Sequence, residues 1–185
     1  MRKFTWIIAL ILFLALPVRG QDTPRAEVYG GGGYLRADLG GADANLYGWN
    51  FSVTENLNKW FGGTADFSGF YGHQTQVGPG LAPVNVNVNA HTFMFGPRFT
   101  YRKAGSITPF AHVLLGGIRG SRGYLGISQS AVKFAAAFGG GLDVKVSKHV
   151  AVRVIQAEYV ATPFLDLRQD NIRLSAGIVF RFGKR

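Results

Sequence analysis

The stretch Arg173–Arg185, RLSAGIVFRFGKR, decides how the chain is read. With Ile172 before it, one parity holds Ile172, Leu174, Ala176, Ile178, Phe180 and Phe182, and the other holds Arg173, Ser175, Gly177 and Arg181. Strict alternation of this kind is the signature of a strand with one apolar and one polar face. Taken alone, it leaves open whether the apolar face meets a protein core or lipid.

Similar period-two segments recur along the chain. Seven more are read as strands, at about 25–38, 45–54, 60–71, 86–102, 107–118, 132–146 and 150–160. In the second, Tyr47, Trp49, Phe51 and Val53 oppose Gly48, Asn50, Ser52 and Thr54; in the fourth, Phe93, Phe95, Phe99 and Tyr101 oppose Thr92, Gly96, Arg98, Thr100 and Arg102. Pro97 on the aromatic face has no N–H to give a ladder, so a bulge or a weakened pairing is expected there. The seventh does not keep one phase, because Arg153 and Glu158 fall on opposite parities; a bulge between them would put both on one face.

The amino terminus carries Arg2 and Lys3, an apolar run from Phe4 to Val18 interrupted by Thr5 and Pro17, and then Val18-Arg19-Gly20. That is the pattern of a cleaved secretory signal, with residues 1–20 removed and 21–185 forming one domain. The apolar run is too short to span a bilayer. Losing residues 1–20 takes away Arg2, Lys3 and Arg19 and no acid, so the net charge falls from +10 to about +7. Export argues against nucleic acid as the counterion and for anionic lipid headgroups or lipopolysaccharide phosphates. With no cysteine in the chain, there is neither a disulfide framework nor a thiolate metal site.

No run of 18 apolar residues follows the leader, yet aromatics make up 14% of the chain and there are 26 glycines. The connections at 55–59, 103–106 and 147–149 are short, and those at 39–44, 72–85, 119–131 and 161–171 are longer. Short turns at one end and longer loops at the other are the rhythm of an outer-membrane barrel. A sheet that faces lipid must close on itself, because lipid offers no hydrogen-bond partner to an edge. Eight strands close into a barrel narrow enough to be filled by side chains.

These features resemble those of the small outer-membrane β-barrel proteins, the OmpA/OmpX-like group. The sharpest shared motif is Ser175-Ala176-Gly177-Ile178-Val179-Phe180-Arg181-Phe182. The resemblance implies an eight-stranded antiparallel up-and-down transmembrane barrel in a bacterial outer membrane, expected to be monomeric. It also implies that Ser175, Gly177, Phe180 and Phe182 are an insertion signal read by the barrel assembly machinery. The chain departs from the usual pattern in that Gly183-Lys184-Arg185 follows the last aromatic.

The expected interior charges are Arg36, Asp66, Arg98, Lys133, Asp143, Lys145, Arg173 and Arg181, with Arg153 and Glu158 joining them if the seventh strand is bulged. They read as an ion-pair plug in a filled lumen, which implies a structural or surface-interacting protein without enzymatic activity or cofactor. A narrow anion-preferring porin is the first alternative. A lipid A-modifying hydrolase is the second, but its relatives pair a His and a Ser on one strand, and here His91 and His112 are followed two residues on by Phe93 and Leu114. A soluble lipocalin-like carrier, the third, would reverse the polarity of the two faces. His73, His91, His112 and His149 show no metal-ligand spacing.

Overall fold

The computed structural model describes residues 23–38, 43–76, 84–102, 105–124, 127–164 and 167–184. The expected signal segment and the middle of the 72–85 connection lie outside the described residues. Eight strands follow one another: β1 Ala26–Asp38, β2 Asp43–Asn56, β3 Phe61–Gln76, β4 Val84–Thr100, β5 Ile107–Tyr124, β6 Ile127–Lys145, β7 Val150–Phe164 and β8 Leu167–Phe182. Each pairs antiparallel with its sequence neighbour, and β8 closes the barrel against β1 through pairs such as Val28↔Phe180 and Gly31↔Gly177.

Side-chain polarity is arranged as a lipid-facing sheet requires. Phe95, Phe134 and Phe180 are 47%, 57% and 47% exposed, whereas Arg98 and Arg181 are 1% and 6% exposed. The outward band includes Trp49, Phe51, Phe93, Leu115, Phe138, Val152 and Ile178. At the end where β1 begins and β8 ends, Trp60 stacks on Phe99, and Tyr101 and Phe182 are exposed. Toward the other end lie Tyr34, Tyr47 and Tyr71, the first two packed ring against ring. Aromatic girdles of this sort suit the two membrane interfaces. The outward faces carry no charge in this band, so lipid contact needs no compensating partner.

Two irregularities bear on the interior. The register of β7 shifts against both neighbours, between Leu142 and Asp143 on one side and between Arg153 and Gln156 on the other. Val154 and Ile155 consequently both face outward, and Arg153, Gln156 and Glu158 all turn inward. Around Pro97, the pairs Phe95↔Leu115 and Arg98↔His112 flank an interruption in the β4–β5 ladder without any shift of register. The missing N–H weakens that ladder and adds no bulge.

Two of the expected long connections, 119–131 and 161–171, are largely strand, and strand also enters 72–85 from both sides. β3 runs to Gln76, β5 to Tyr124 and β6 from Ile127, and β7 and β8 meet at Phe164 and Leu167. With 18 and 19 residues, β5 and β6 far exceed the 9 to 11 that cross a bilayer. Their far ends are therefore a hairpin standing beyond the membrane.

Several inward glycines serve backbone approach. A Cβ on Gly48 would lie 1.8 Å from the carbonyl oxygen of Gly69, and one on Gly96 1.9 Å from that of Val113. Adjacent strands are pressed together here by the tight curl of a small barrel.

Candidate functional site: the lumen

Inward side chains divide the lumen into two sections. Toward the far end it is apolar. Leu35, Ala37, Ala44, Leu46, Phe70, Val88 and Ala90 form one buried cluster, and Met94, Leu114, Ala135, Ala137 and Val160 form a second, with Ile118 packed against both. Phe70, Leu46, Met94 and Leu114 have no exposed surface. Neither cluster includes a charged or polar side chain.

The rest of the lumen, down to the end where β1 begins and β8 ends, is a network of charges. In its middle, Arg173 grips Glu158 with two parallel bonds, Nε to Oε2 at 2.7 Å and Nη2 to Oε1 at 2.6 Å. The same guanidinium lies 2.9 Å from Asp66 and donates to Ser68 and Thr92 at 3.0 and 3.2 Å. His112 Nε2 lies 2.9 Å from Glu158 Oε1 and must carry the proton, because a carboxylate only accepts. Gln156 donates to Glu158 Oε2 at 2.8 Å, and Asn50 donates to Asp66 at 2.9 Å.

Nearer the end where β1 begins, Asp143 binds two arginines. Arg153 Nε reaches Oδ1 at 2.8 Å, and Arg98 Nη2 reaches Oδ2 at 2.9 Å. Both guanidinium groups lie over the Phe110 ring, at 3.8 Å for Arg98 and 4.4 Å for Arg153, and Arg153 also covers Tyr29 at 4.2 Å. Stacking of this kind uses the weakly hydrated flat face of arginine while its edge donates. At the mouth, Glu27 faces Arg98, Arg102 and Arg181 at 3.6, 3.1 and 3.4 Å.

The network contains Asp66, Arg98, Asp143, Arg173 and Arg181 from the expected set, together with Arg153 and Glu158. Arg36 and Lys145 are corrections. On β1, Glu27, Tyr29, Leu35 and Ala37 face inward, so Arg36 faces outward and pairs with Asp43 at the far rim. Lys145 is the last residue of β6 and is exposed where the barrel opens to water. Lys133, paired in register with Ile118, is half-buried. Glu27 and Arg102 were not anticipated inside. Arg102 shares its parity with Arg98 and could have been added on that ground; Glu27 is hidden by the four glycines that follow at Gly30–Gly33.

Of the expected insertion signal, Ser175 is buried, and Phe180 and Phe182 face outward on the strand that closes the barrel. The histidines are dispersed: His91 bonds Tyr71, His73 bonds Asn87 and His149 is exposed. Among the described residues no group of three or more His, Asp or Glu side chains could hold a metal ion.

Comparison with known proteins places this geometry in a family. The profile of the family described as outer membrane protein beta-barrel domain matches residues 7–180. Neisserial surface protein A superimposes with a TM-score of 0.70 at 11% identity, covering 88% of this chain and all of that one, 100%. Ail, the attachment invasion locus protein of Yersinia pestis, gives 0.57 at 19% identity, covering 85% of this chain and 99% of that one. OprG from Pseudomonas aeruginosa gives 0.58 at 11% identity, covering 90% and 99%. Among curated protein sequences no match is found. At these identities the superpositions speak for the fold alone.

Proposed function

The chain belongs to the outer membrane protein beta-barrel domain family, and from that premise we propose that it is a non-conducting, non-enzymatic barrel whose role is to present its far-end hairpins at the cell surface. The observation that carries this reading is the division of the lumen. An apolar plug of buried side chains stands above a hydrogen-bonded charge network, an arrangement opposite to a wetted path along the axis. A porin needs such a path, so the plug speaks against the narrow anion channel. The hydrolase alternative has no support in the dispersed histidines, and the lipocalin alternative requires the opposite polarity.

The β5–β6 hairpin supplies the surface, since it stands beyond the membrane and carries an exposed Arg119. A solved structure of Ail holds the heparin analogue sucrose octasulfate, so polyanionic glycans are one class of ligand to test on these hairpins. Residues 1–20 are removed on export in this reading. β8 carries the signal Ser175, Gly177, Phe180 and Phe182 to the assembly machinery, and lipopolysaccharide and phospholipid surround the finished monomer.

The test has two parts. In planar bilayers the purified protein should give no discrete conductance steps; regular steps would restore the porin. Trypsin added to intact cells should cut at Arg119 and leave the barrel in the membrane. Cutting only after the cells are opened would remove the surface role.

A further inference from the structure

At the mouth of the lumen the charges do not balance. Glu27 is a single carboxylate facing Arg98, Arg102 and Arg181. The next acid inward, Asp143, is shared between Arg98 and Arg153. Four guanidinium groups therefore face two carboxylates in a section where Arg98, Arg153 and Arg181 are 1%, 1% and 6% exposed. The remaining interior acids, Asp66 and Glu158, share Arg173, so the network as a whole sets five arginines against four carboxylates, with the excess of cations at the mouth.

Hydrogen bonding shows the same excess. Arg98 Nε, Arg102 Nε and Arg181 Nη2 are buried donors that make no hydrogen bond in the protein, and Arg181 Nε makes none either, meeting Glu27 Oε1 at 3.4 Å as an ion pair alone. A lysine in this position could shed its proton, but arginine does not deprotonate in proteins. A buried charge needs a partner. Glu27 Oε2, 3.6 Å from Arg98 Nη2, accepts no hydrogen bond, but turning Arg181 onto it would leave four cations against two anions all the same.

We propose that the mouth of the lumen at the end where β1 begins and β8 ends is a binding site for a small inorganic oxyanion of the phosphate or sulfate class, held by Arg181 and Arg102 with Arg98 behind them. The guanidinium edge matches two oxygens of such an anion, which is why arginine is favoured wherever phosphate is bound in a fixed orientation. Entry is from the rim, where the Arg102 side chain keeps 14% of its surface exposed while those of Arg98 and Arg181 keep 2% and 7%. Asn56 fixes that rim. It accepts from Arg102 Nη2 at 3.1 Å, donates to the Pro24 carbonyl at 2.8 Å, and holds the Arg25 carbonyl through its backbone N–H at 2.8 Å. The anion would bring the section close to neutrality and occupy the free donors.

The experiment is calorimetric titration of sodium phosphate, and separately sodium sulfate, into the protein folded in a non-ionic detergent at constant ionic strength. One saturable site per barrel is expected. Arg181→Met and Arg102→Met should each weaken binding at least tenfold, while Arg36→Met at the opposite rim should leave it unchanged. Heat-modifiable migration on a gel reports whether each variant is a folded barrel. If neither lumen variant folds, the arginine Nε–H resonances of the unmodified protein are read instead: phosphate should shift those of Arg98, Arg102 and Arg181. Absence of saturable binding to the unmodified protein overturns the site, as does wild-type affinity in folded Arg181→Met or unshifted Nε–H resonances. A phosphate ester on a lipid has the same chemistry, so short-chain phosphatidylglycerol is titrated as well; binding of that lipid without binding of either inorganic anion overturns the assignment to a free oxyanion.

Discussion

Arg173 and Glu158, on neighbouring strands β8 and β7, form a two-pronged ion pair at 2.6 and 2.7 Å with both charged side chains entirely enclosed. The pair is the hub of the mid-lumen network, since Asp66, His112 and Gln156 all reach one or the other partner. Without Glu158, Arg173 keeps Asp66 as its one carboxylate, and breaking a buried ion pair in this way typically costs about 3–5 kcal/mol. Glu158→Gln should therefore lower stability by about that amount, seen as a lower urea midpoint for the folded form in lipid vesicles. The triple variant Asp66→Asn with Glu158→Leu and Arg173→Met should recover most of the loss, because none of these three buried charges is then left without a partner.

The β7 bulge yields a second expectation. Val154 and Ile155 both face lipid, so deleting Val154 would restore plain alternation with Arg153 and Gln156 still inside. The deletion variant should fold, whereas deleting Phe51 from the regular β2 turns every later inward residue of that strand outward and should abolish folding. Heat-modifiable migration separates the two outcomes.

Glycine substitutions should divide by backbone contact. Gly96→Ala places a Cβ 1.9 Å from the Val113 carbonyl oxygen and should prevent closure of β4 on β5. Gly63→Ala meets nothing within 4 Å and should change stability by less than about 0.5 kcal/mol. Folding yield from urea into vesicles measures both.

On the lipid face the effect of a charge depends on depth. Phe95→Arg, within the apolar band, should cost about 2–4 kcal/mol, and Tyr101→Arg at the interfacial girdle about 0–1. Equal penalties at the two positions would show that the girdle is misplaced.

Where one face is aromatic and the other polar, as on β2, β4 and β8, the alternation in the sequence gives strand, phase and environment together. The bulge of β7 was legible too, because Arg153 and Glu158 conflict unless a residue is inserted. β1 was not. Gly30–Gly33 carry no polarity, so the phase that puts Glu27 inside and Arg36 outside is lost across them. The far-end plug was also hidden. Phe70, Met94 and Leu114 sit between outward neighbours that are not polar, Gly69 and Tyr71, Phe93 and Phe95, and Val113 and Leu115, so no contrast is left to read, and Leu35 and Leu46, beside outward Arg36 and Asn45, reverse the polarity expected of the wall. The strand extensions at 72–76 and 119–124 read as loops for a related reason, being Gly-, Ser- and Gln-rich on both sides. Backbone hydrogen bonding along the hairpin, which no side-chain pattern reports, keeps them in the sheet.

The most direct test of inverted polarity uses Trp49, which is 45% exposed on the outer wall and lies against Gly69. With Trp60 replaced by Phe and the leader removed, Trp49 is the one remaining tryptophan. Reconstituted in vesicles whose acyl chains are brominated near their middle, its fluorescence should be strongly quenched, and aqueous acrylamide should have little effect. Acrylamide quenching without bromine quenching would place the aromatic wall in water and contradict the account.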